Sequence, residues 1–406
     1  MTTSKTLLGT TIPAVSTGKY NHAIGYLRAF IVALVVAHHS VLAYHPFAPP
    51  APASLLPQPR WWGAFPVVDT RRWSGFSLFV GFNDVFFMSL MFFLSGLFVW
   101  HSLQRKGSAT FLRDRLLRLG LPFLVAAAVL APLAYYPTYL QTSMHTGFAG
   151  FWHEWVSLGQ WPAGPAWFVW VLLAFDCIAA LLFVMAPRWG DTLGRMISGS
   201  SVSPARFFAL LIAISAIAYI PMALIFTPIQ WTAFGPFTFQ TSRILHYLAY
   251  FLIAVAVGAT GVDRGLLAAG GNLARRWPMW VIAAVVSFGV VTVLAIIVFT
   301  AHPASKGWAT AMHAGFVLSC AASCFAFLAL FVRFARSHSR IFDSLAQNSY
   351  AIYLVHYPFV SWLQYALLPA SMPAIVKGVV VTFAALVLSW GAAAAIRRIP
   401  TVSEAV

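Results

Sequence analysis

Charged side chains are nearly missing from this sequence. They make up 8% of its 406 residues, while 60% are hydrophobic; a soluble domain carries about 25% charged residues. That excludes an ordinary soluble fold and defines a polytopic membrane protein. Alternating ten-residue segments are missing too. The apolar runs are about 20 residues long, which argues against a β-barrel and for membrane helices. Acids are the rarer sign, nine Asp and Glu against 25 Lys and Arg. The net charge of +16 does not point to nucleic acid, because the basic residues fall in short clusters between apolar runs. That pattern orients membrane proteins.

Cysteine is scarce as well. Cys177, Cys320 and Cys324 all lie in apolar runs and no pair is presented in a loop, so no disulfide framework is implied. All three read as small buried hydrophobes rather than metal ligands. No metal site and no bound cofactor are expected. A cleavable secretory signal is not evident: the first 20 residues are polar and Ser/Thr-rich, and the first apolar run is long enough to stay as a span. Nothing marks a soluble domain, a low-complexity segment or an internal repeat.

What is present is a series of ten apolar spans, near 24–44, 79–101, 120–139, 165–186, 206–226, 242–260, 278–300, 311–334, 345–367 and 372–396. They predict an all-α membrane protein: one bundle of about ten transmembrane helices over residues 24–396, with tails at 1–23 and 397–406. With ten spans, 18 Lys and Arg fall on the side of the termini and six on the other, and Arg28 lies within a span. The positive-inside rule then puts both termini in the cytoplasm.

The stretch at 21–45, NHAIGYLRAFIVALVVAHHSVLAYH, holds the first span and carries Arg28, His38 and His39. At 3.6 residues per turn, a separation of 11 returns a helix to within about 20° of its starting direction. Arg28 and His39 therefore share a face, roughly 16 Å apart along the axis, and His38 points elsewhere. A cation and an imidazole on one stripe of a membrane helix are costly and are seldom kept without a use.

Three other stretches carry chemistry. In NDVFFMSLMFFLSGLFVW, Ser95–Gly96 breaks an apolar run, and small residues there admit either a second helix or a ligand. Asp84, at the outer part of the same span, suits either a pair with an outer arginine or an interfacial position. In FLRDRLLRLGLP, Arg115 and Arg118 lie three apart and share a face. They could grip phosphates through forked hydrogen bonds, although topology and lipid headgroups also account for them. In QNSYAIYLVHYP, Tyr350, Tyr353 and His356 recur every three residues. An aromatic belt explains the tyrosines better than the histidine, which in a span usually faces a polar cavity. The outer loop at 45–78 is rich in Pro, Ala and Trp and reads as a lid, an acceptor-binding loop or a plain connector. The loop at 140–164 is rich in aromatics and has no Lys or Arg; this suits a hydroxyl-bearing acceptor or an aromatic belt.

Two His-bearing helices, a basic cluster and an embedded Arg together predict a wet interior cavity. An enzyme or a proton-coupled transporter of a small polar or amphipathic solute would each use one. The residues also resemble those of the acyltransferase-3 family of integral membrane O-acyltransferases. The carriers, in order, are Arg28 followed after ten residues by His39, FFLSG at 92–96, RDRLLRLGLP at 113–122, GPAWFVW at 164–170 and SYAIYLVH at 349–356. Within the family, FFMSLMFFLSGLFVW and the lack of an appended soluble domain look most like the branch that succinylates periplasmic glucans.

The resemblance implies a multi-pass inner-membrane enzyme. It would move an acetyl or succinyl group from cytoplasmic acyl-CoA, a co-substrate, to a hydroxyl of an extracytoplasmic carbohydrate or related acceptor, among membrane lipids. Transfer to an alcohol needs a base, and an imidazole serves near neutral pH. His39 is the candidate, as base or as transient acyl carrier. Arg28, Arg115 and Arg118 would hold the donor, and Ser95, Trp167, Tyr353 and His356 would line the cavity or orient the acceptor.

Overall fold

The computed structural model describes residues 22–143, 145–201, 203–300 and 305–398; most of the two expected tails, including Lys5 and Lys19, lies outside them. Ten long helices account for most of the chain: α1 (His22–Val41), α2 (Gly75–Gly96), α3 (Val99–Leu140), α4 (Trp167–Met185), α5 (Pro204–Phe226), α6 (Ile244–Ala259), α7 (Trp277–Thr300), α8 (Lys306–Phe334), α9 (Arg340–Ala366) and α10 (Ala374–Ile396). Nine are long and apolar enough to cross a membrane. The exception, α9, falls short because it carries Asn348, Ser349, Tyr353, His356, Ser361 and Gln364, all buried inside the bundle. The helices that meet lipid show the opposite pattern. α7 exposes Ile282, Val285, Val286, Val293 and Phe299 and buries little. The chain is thus an all-α membrane protein whose polar helix is at its centre.

Two expected boundaries differ. The segment near 102–119 is not a loop: it is helical and continues into the third span. The turn is made at Gly107, whose backbone (φ 75°, ψ 163°) is open to a residue without Cβ, and Lys106 reaches across it to Asp114. The density of charge hid this helix, since a solvated helical hairpin has no apolar stripe. Residues 231–240, expected as a connector, form an antiparallel hairpin of β1 (Trp231–Phe234) and β2 (Phe237–Gln240). Phe237 and Phe239 there pack against Trp170.

Prolines shape α3. Pro122 lacks the N–H that would bond the carbonyl of Arg118, and Tyr350 Oη donates to that oxygen instead, at 2.7 Å. The helix widens to π turns at Leu116–Gly120 and Ala126–Leu130. In the second, Ala127 O would meet Pro132, and Trp161 Nε1 takes its place at 2.8 Å. Pro137 likewise frees Leu133 O for Trp362 Nε1, at 3.0 Å. Each gap in the ladder has become an attachment point for another element.

The Ser95–Gly96 pair divides its two roles. Gly96 lies at the crossing of α2 with α6, where a Cβ would come within 2.5 Å of Phe251 O; on the other helix a Cβ at Gly258 would come within 2.0 Å of Leu97 O. The backbones touch there, which only glycine permits. Ser95 faces the other way, into the interior. Cys320 and Cys324 are buried as expected. Cys177 is exposed on the outer face of α4, which corrects its reading as a buried hydrophobe: an apolar run alone does not tell a core face from a lipid face.

Candidate functional site

A cavity of about 970 Å³ opens at one end of the bundle, between α1, α2, α3, α4 and α9. Five of the eight sequence-derived site residues line it together: Arg28, Ser95, Arg115, Arg118 and Tyr353. Arg105 and Lys106 join them, against two carboxylates, Asp114 and Asp176. The interior is therefore net cationic. Ser95 donates to Met91 O at 2.8 Å, so its hydroxyl oxygen remains an acceptor toward the cavity.

The two arginines of α3 are not equivalent. Arg115 Nε is 3.1 Å from Asp176, whose side chain is 1% exposed on α4. This pair anchors α3 to α4. Arg118 has no ion-pair partner among the described residues. Asp176 is a member of the site that the reading of residue patterns passed over, although it is the sole acid in its span and so carried a signal.

Beyond the cavity, toward the other end of the bundle, lie the histidines. Along α1 the lining ends at Val32, and buried Val35 separates it from His39. His39 and His356 are in contact: His356 Nε2 lies 3.2 Å from His39 Nδ1. His39 Nδ1 also lies 2.9 Å from Val35 O, and His356 Nδ1 lies 2.7 Å from Tyr353 O. A carbonyl oxygen can only accept, so both Nδ1 atoms carry hydrogens. His39 Nδ1–H is then shared between Val35 O and His356 Nε2. The remaining nitrogen, His39 Nε2, has a bare lone pair. Gln364 holds the end of α1 by donating from Nε2 to the carbonyls of His39 (2.8 Å) and Ser40 (3.0 Å), which lack helical partners.

The GPAWFVW stretch locks α9 in place. Tyr353 Oη donates to Pro165 O. Trp167 does not line the basic cavity: its ring meets Trp231 of β1 at 5.4 Å and Tyr247 of α6 at 6.0 Å, nearer the histidine end. His38 turns away from His39's partner and stacks on Phe87 of α2, ring centroids 5.1 Å apart.

The histidine end is covered. Tyr357 meets His39 edge-on at 5.2 Å, Tyr135 meets Tyr357 at 5.7 Å, and Trp62 of the Pro/Ala-rich loop meets Tyr135 at 5.3 Å. That loop is fastened by Asp69 to Lys377 of α10, a 2.6 Å pair in which neither side chain exceeds 2% exposure. Glu154 binds it from the 140–164 segment, accepting from Leu55 N at 2.8 Å and Ser54 Oγ at 2.9 Å.

A multi-helix membrane protein with a cationic cavity at one end and an oriented imidazole pair farther in has the parts of a membrane enzyme. Over residues 21–394 the chain matches the family model Acyl_transf_3, the acyltransferase domain, and it belongs to that family. It is a multi-pass membrane acyltransferase. Among curated proteins and among solved structures, none matches the chain.

Proposed function

We propose that the protein transfers an acyl group, acetyl or succinyl, from acyl-CoA to a hydroxyl of an extracytoplasmic carbohydrate, with His39 as the general base. The basic end faces the cytoplasm in this reading, as the distribution of Lys and Arg requires, and the membrane is the inner membrane of a cell with a periplasm. Arg28 and Arg118 hold the phosphates of the donor, and the pantetheine arm extends along α1 toward the histidines. The acceptor hydroxyl gives its proton to His39 Nε2 as its oxygen attacks the thioester carbonyl. The CoA sulfur leaves and takes that proton from the imidazolium. His356 Nε2 accepts from His39 Nδ1–H and steadies the cation formed in between.

One observation supports this best: two backbone carbonyls, of Val35 and Tyr353, fix both imidazoles with hydrogen on Nδ1, so that His356 Nε2 accepts from His39 and the one lone pair left without a donor is that of His39 Nε2. The same nitrogen would attack the thioester in a covalent route, giving an acyl-imidazole. Purified protein in lipid, supplied with labelled acyl-CoA, tests the reading. Thioester consumption that depends on added glycan is expected. A proton-coupled transporter would consume none, and that result would end the proposal. Acid-quenched label retained on the protein, and lost in His39→Ala, would select the covalent route.

A further inference from the structure

The structure assigns a polyol-binding site to Asp84 and Arg243, at the histidine end of α2; the inference deepens the acyl-transfer reading and rests on it for the identity of the acceptor. α2 repeats the geometry of α1. Asp84 and Ser95 are 11 residues apart and so share a stripe, with Met88 and Met91 between them. Ser95 and Met91 line the basic cavity, so the stripe bearing Asp84 faces the interior of the bundle rather than lipid. Its side chain is nevertheless 47% exposed, although Asn83, Val85, Phe86 and Phe87 around it are all buried. An accessible carboxylate among buried neighbours lies in a crevice.

Arg243 is committed to presenting that carboxylate. Its Nη2 meets Asp84 Oδ2 at 2.6 Å, its Nη1 donates to Asp84 O at 2.9 Å, and its guanidinium lies over the Phe316 ring at 4.7 Å. Asp84 Oδ1 has no hydrogen-bond partner among the described residues. Two neighbouring polar atoms are buried and unpartnered as well, Arg243 Nε and His38 Nδ1. His38 stacks on Phe87, one turn from Asp84, and lies within electrostatic range of the carboxylate.

The crevice thus offers the bare Asp84 oxygen, with the unpartnered Arg243 Nε and His38 Nδ1 buried beside it and reached as the side chains shift, and no net charge because the ion pair cancels. A neutral ligand bearing several hydroxyls matches such a set: each hydroxyl both donates and accepts. An anion would meet the bare carboxylate oxygen, and a cation the guanidinium. Trp231, 47% exposed, stands at the same end against Trp167 and would supply a flat face for a sugar ring. His39, next in sequence to His38, would then find its substrate hydroxyl on a molecule held from α2.

Binding of methyl glucoside, a linear glucose oligomer and inositol to the purified full chain in lipid, followed by tryptophan fluorescence, tests this without any turnover. Wild type is expected to bind at least one at millimolar concentration. Asp84→Asn should weaken that binding about tenfold, the size of one charge-assisted hydrogen bond, and Asp84→Glu should weaken it less. The affinity for CoA should stay the same in both; the melting temperature should fall in Asp84→Asn, which leaves the buried Arg243 guanidinium without its anion, and hold in Asp84→Glu. Wild type that binds none of the three, or Asp84→Asn that binds as wild type does, overturns the site. So does a loss shared by CoA affinity and melting temperature in both variants, because the ion pair would then be purely structural. Sugar binding with no acyl transfer would defeat the proposed reaction and leave this site standing.

Discussion

At the basic end, Arg28, Arg105, Lys106, Arg115 and Arg118 share one cavity with two carboxylates. At the histidine end the two buried cations are each matched by a carboxylate: Arg243 by Asp84, and Lys377 by Asp69. The first arrangement leaves cationic surplus and open volume, which suits a polyanion that enters and leaves. The second cancels its buried charges in pairs and holds each of those groups by several contacts. There His39 is fixed through Val35 O, His356 and the Gln364 bonds to its own end of α1. One end is built to attract, the other to orient. A reaction that joins an anionic donor to a neutral acceptor needs both.

The largest effect that would break this comparison lies at the orienting end. His39→Ala should lower acyl transfer about a thousandfold, the loss expected when a general base is removed, while membrane insertion is unchanged. Transfer assays on the purified variant, beside its yield in the membrane fraction, measure both. His356→Ala should cost less, about tenfold, because His39 Nε2 remains and only the partner of Nδ1 is lost. Near-normal product from His39→Ala would remove the catalytic assignment.

Next comes a test inside the basic end. Arg115→Ala leaves the buried Asp176 carboxyl without its partner; with Arg115 about a quarter exposed, a loss of about 2 kcal/mol is expected. Melting temperature and membrane abundance should fall, and replacing both partners, Arg115→Met with Asp176→Leu, should recover them. Arg118→Ala should leave stability unchanged and raise the apparent KM for acyl-CoA about tenfold, as for one lost phosphate contact. Equal behaviour of the two variants would mean that the ion pair does not divide their roles. Salt separates the two ends as well. Added salt should raise the KM for acyl-CoA by screening the surplus charge, and leave the KM for the acceptor nearly unchanged.

Local spacing carried most of what was legible in the sequence. The 11-residue interval from Arg28 to His39 and the three-residue interval from Arg115 to Arg118 turn into faces through helix geometry alone. Five of the residues so chosen meet in one cavity. What stayed hidden depends on other elements. The His39–His356 contact spans 317 residues, and no periodicity reports it. The Arg115–Asp176 pair was half visible, since a lone acid in an apolar span needs a partner but does not name it. Trp167 belongs to a stretch that the sequence singles out, yet it is Pro165 of that stretch that meets Tyr353, through a backbone oxygen. The hairpin at 231–240 is too short to show alternation. The helical hairpin about Gly107 is too polar to show a stripe.

The smallest expected effect is also the sharpest, because it separates two adjacent imidazoles. His38 stacks on Phe87 and has Asp84 within electrostatic range; His39 faces His356. A histidine beside a carboxylate is the more familiar form of a base, so His38 is a real rival. The geometry favours His39 because two carbonyls fix its tautomer and that of its partner, whereas His38 Nδ1 has no hydrogen-bond partner among the described residues. His38→Ala should therefore reduce kcat by a few-fold at most, and its larger effect should fall on the KM for the acceptor. His38→Gln, which keeps a donor and an acceptor, should restore that KM in part. Steady-state kinetics with acceptor varied at saturating acyl-CoA distinguish the two outcomes: a loss of kcat in His38→Ala as large as that in His39→Ala would transfer the role of base from α1's α9-facing side to its α2-facing side.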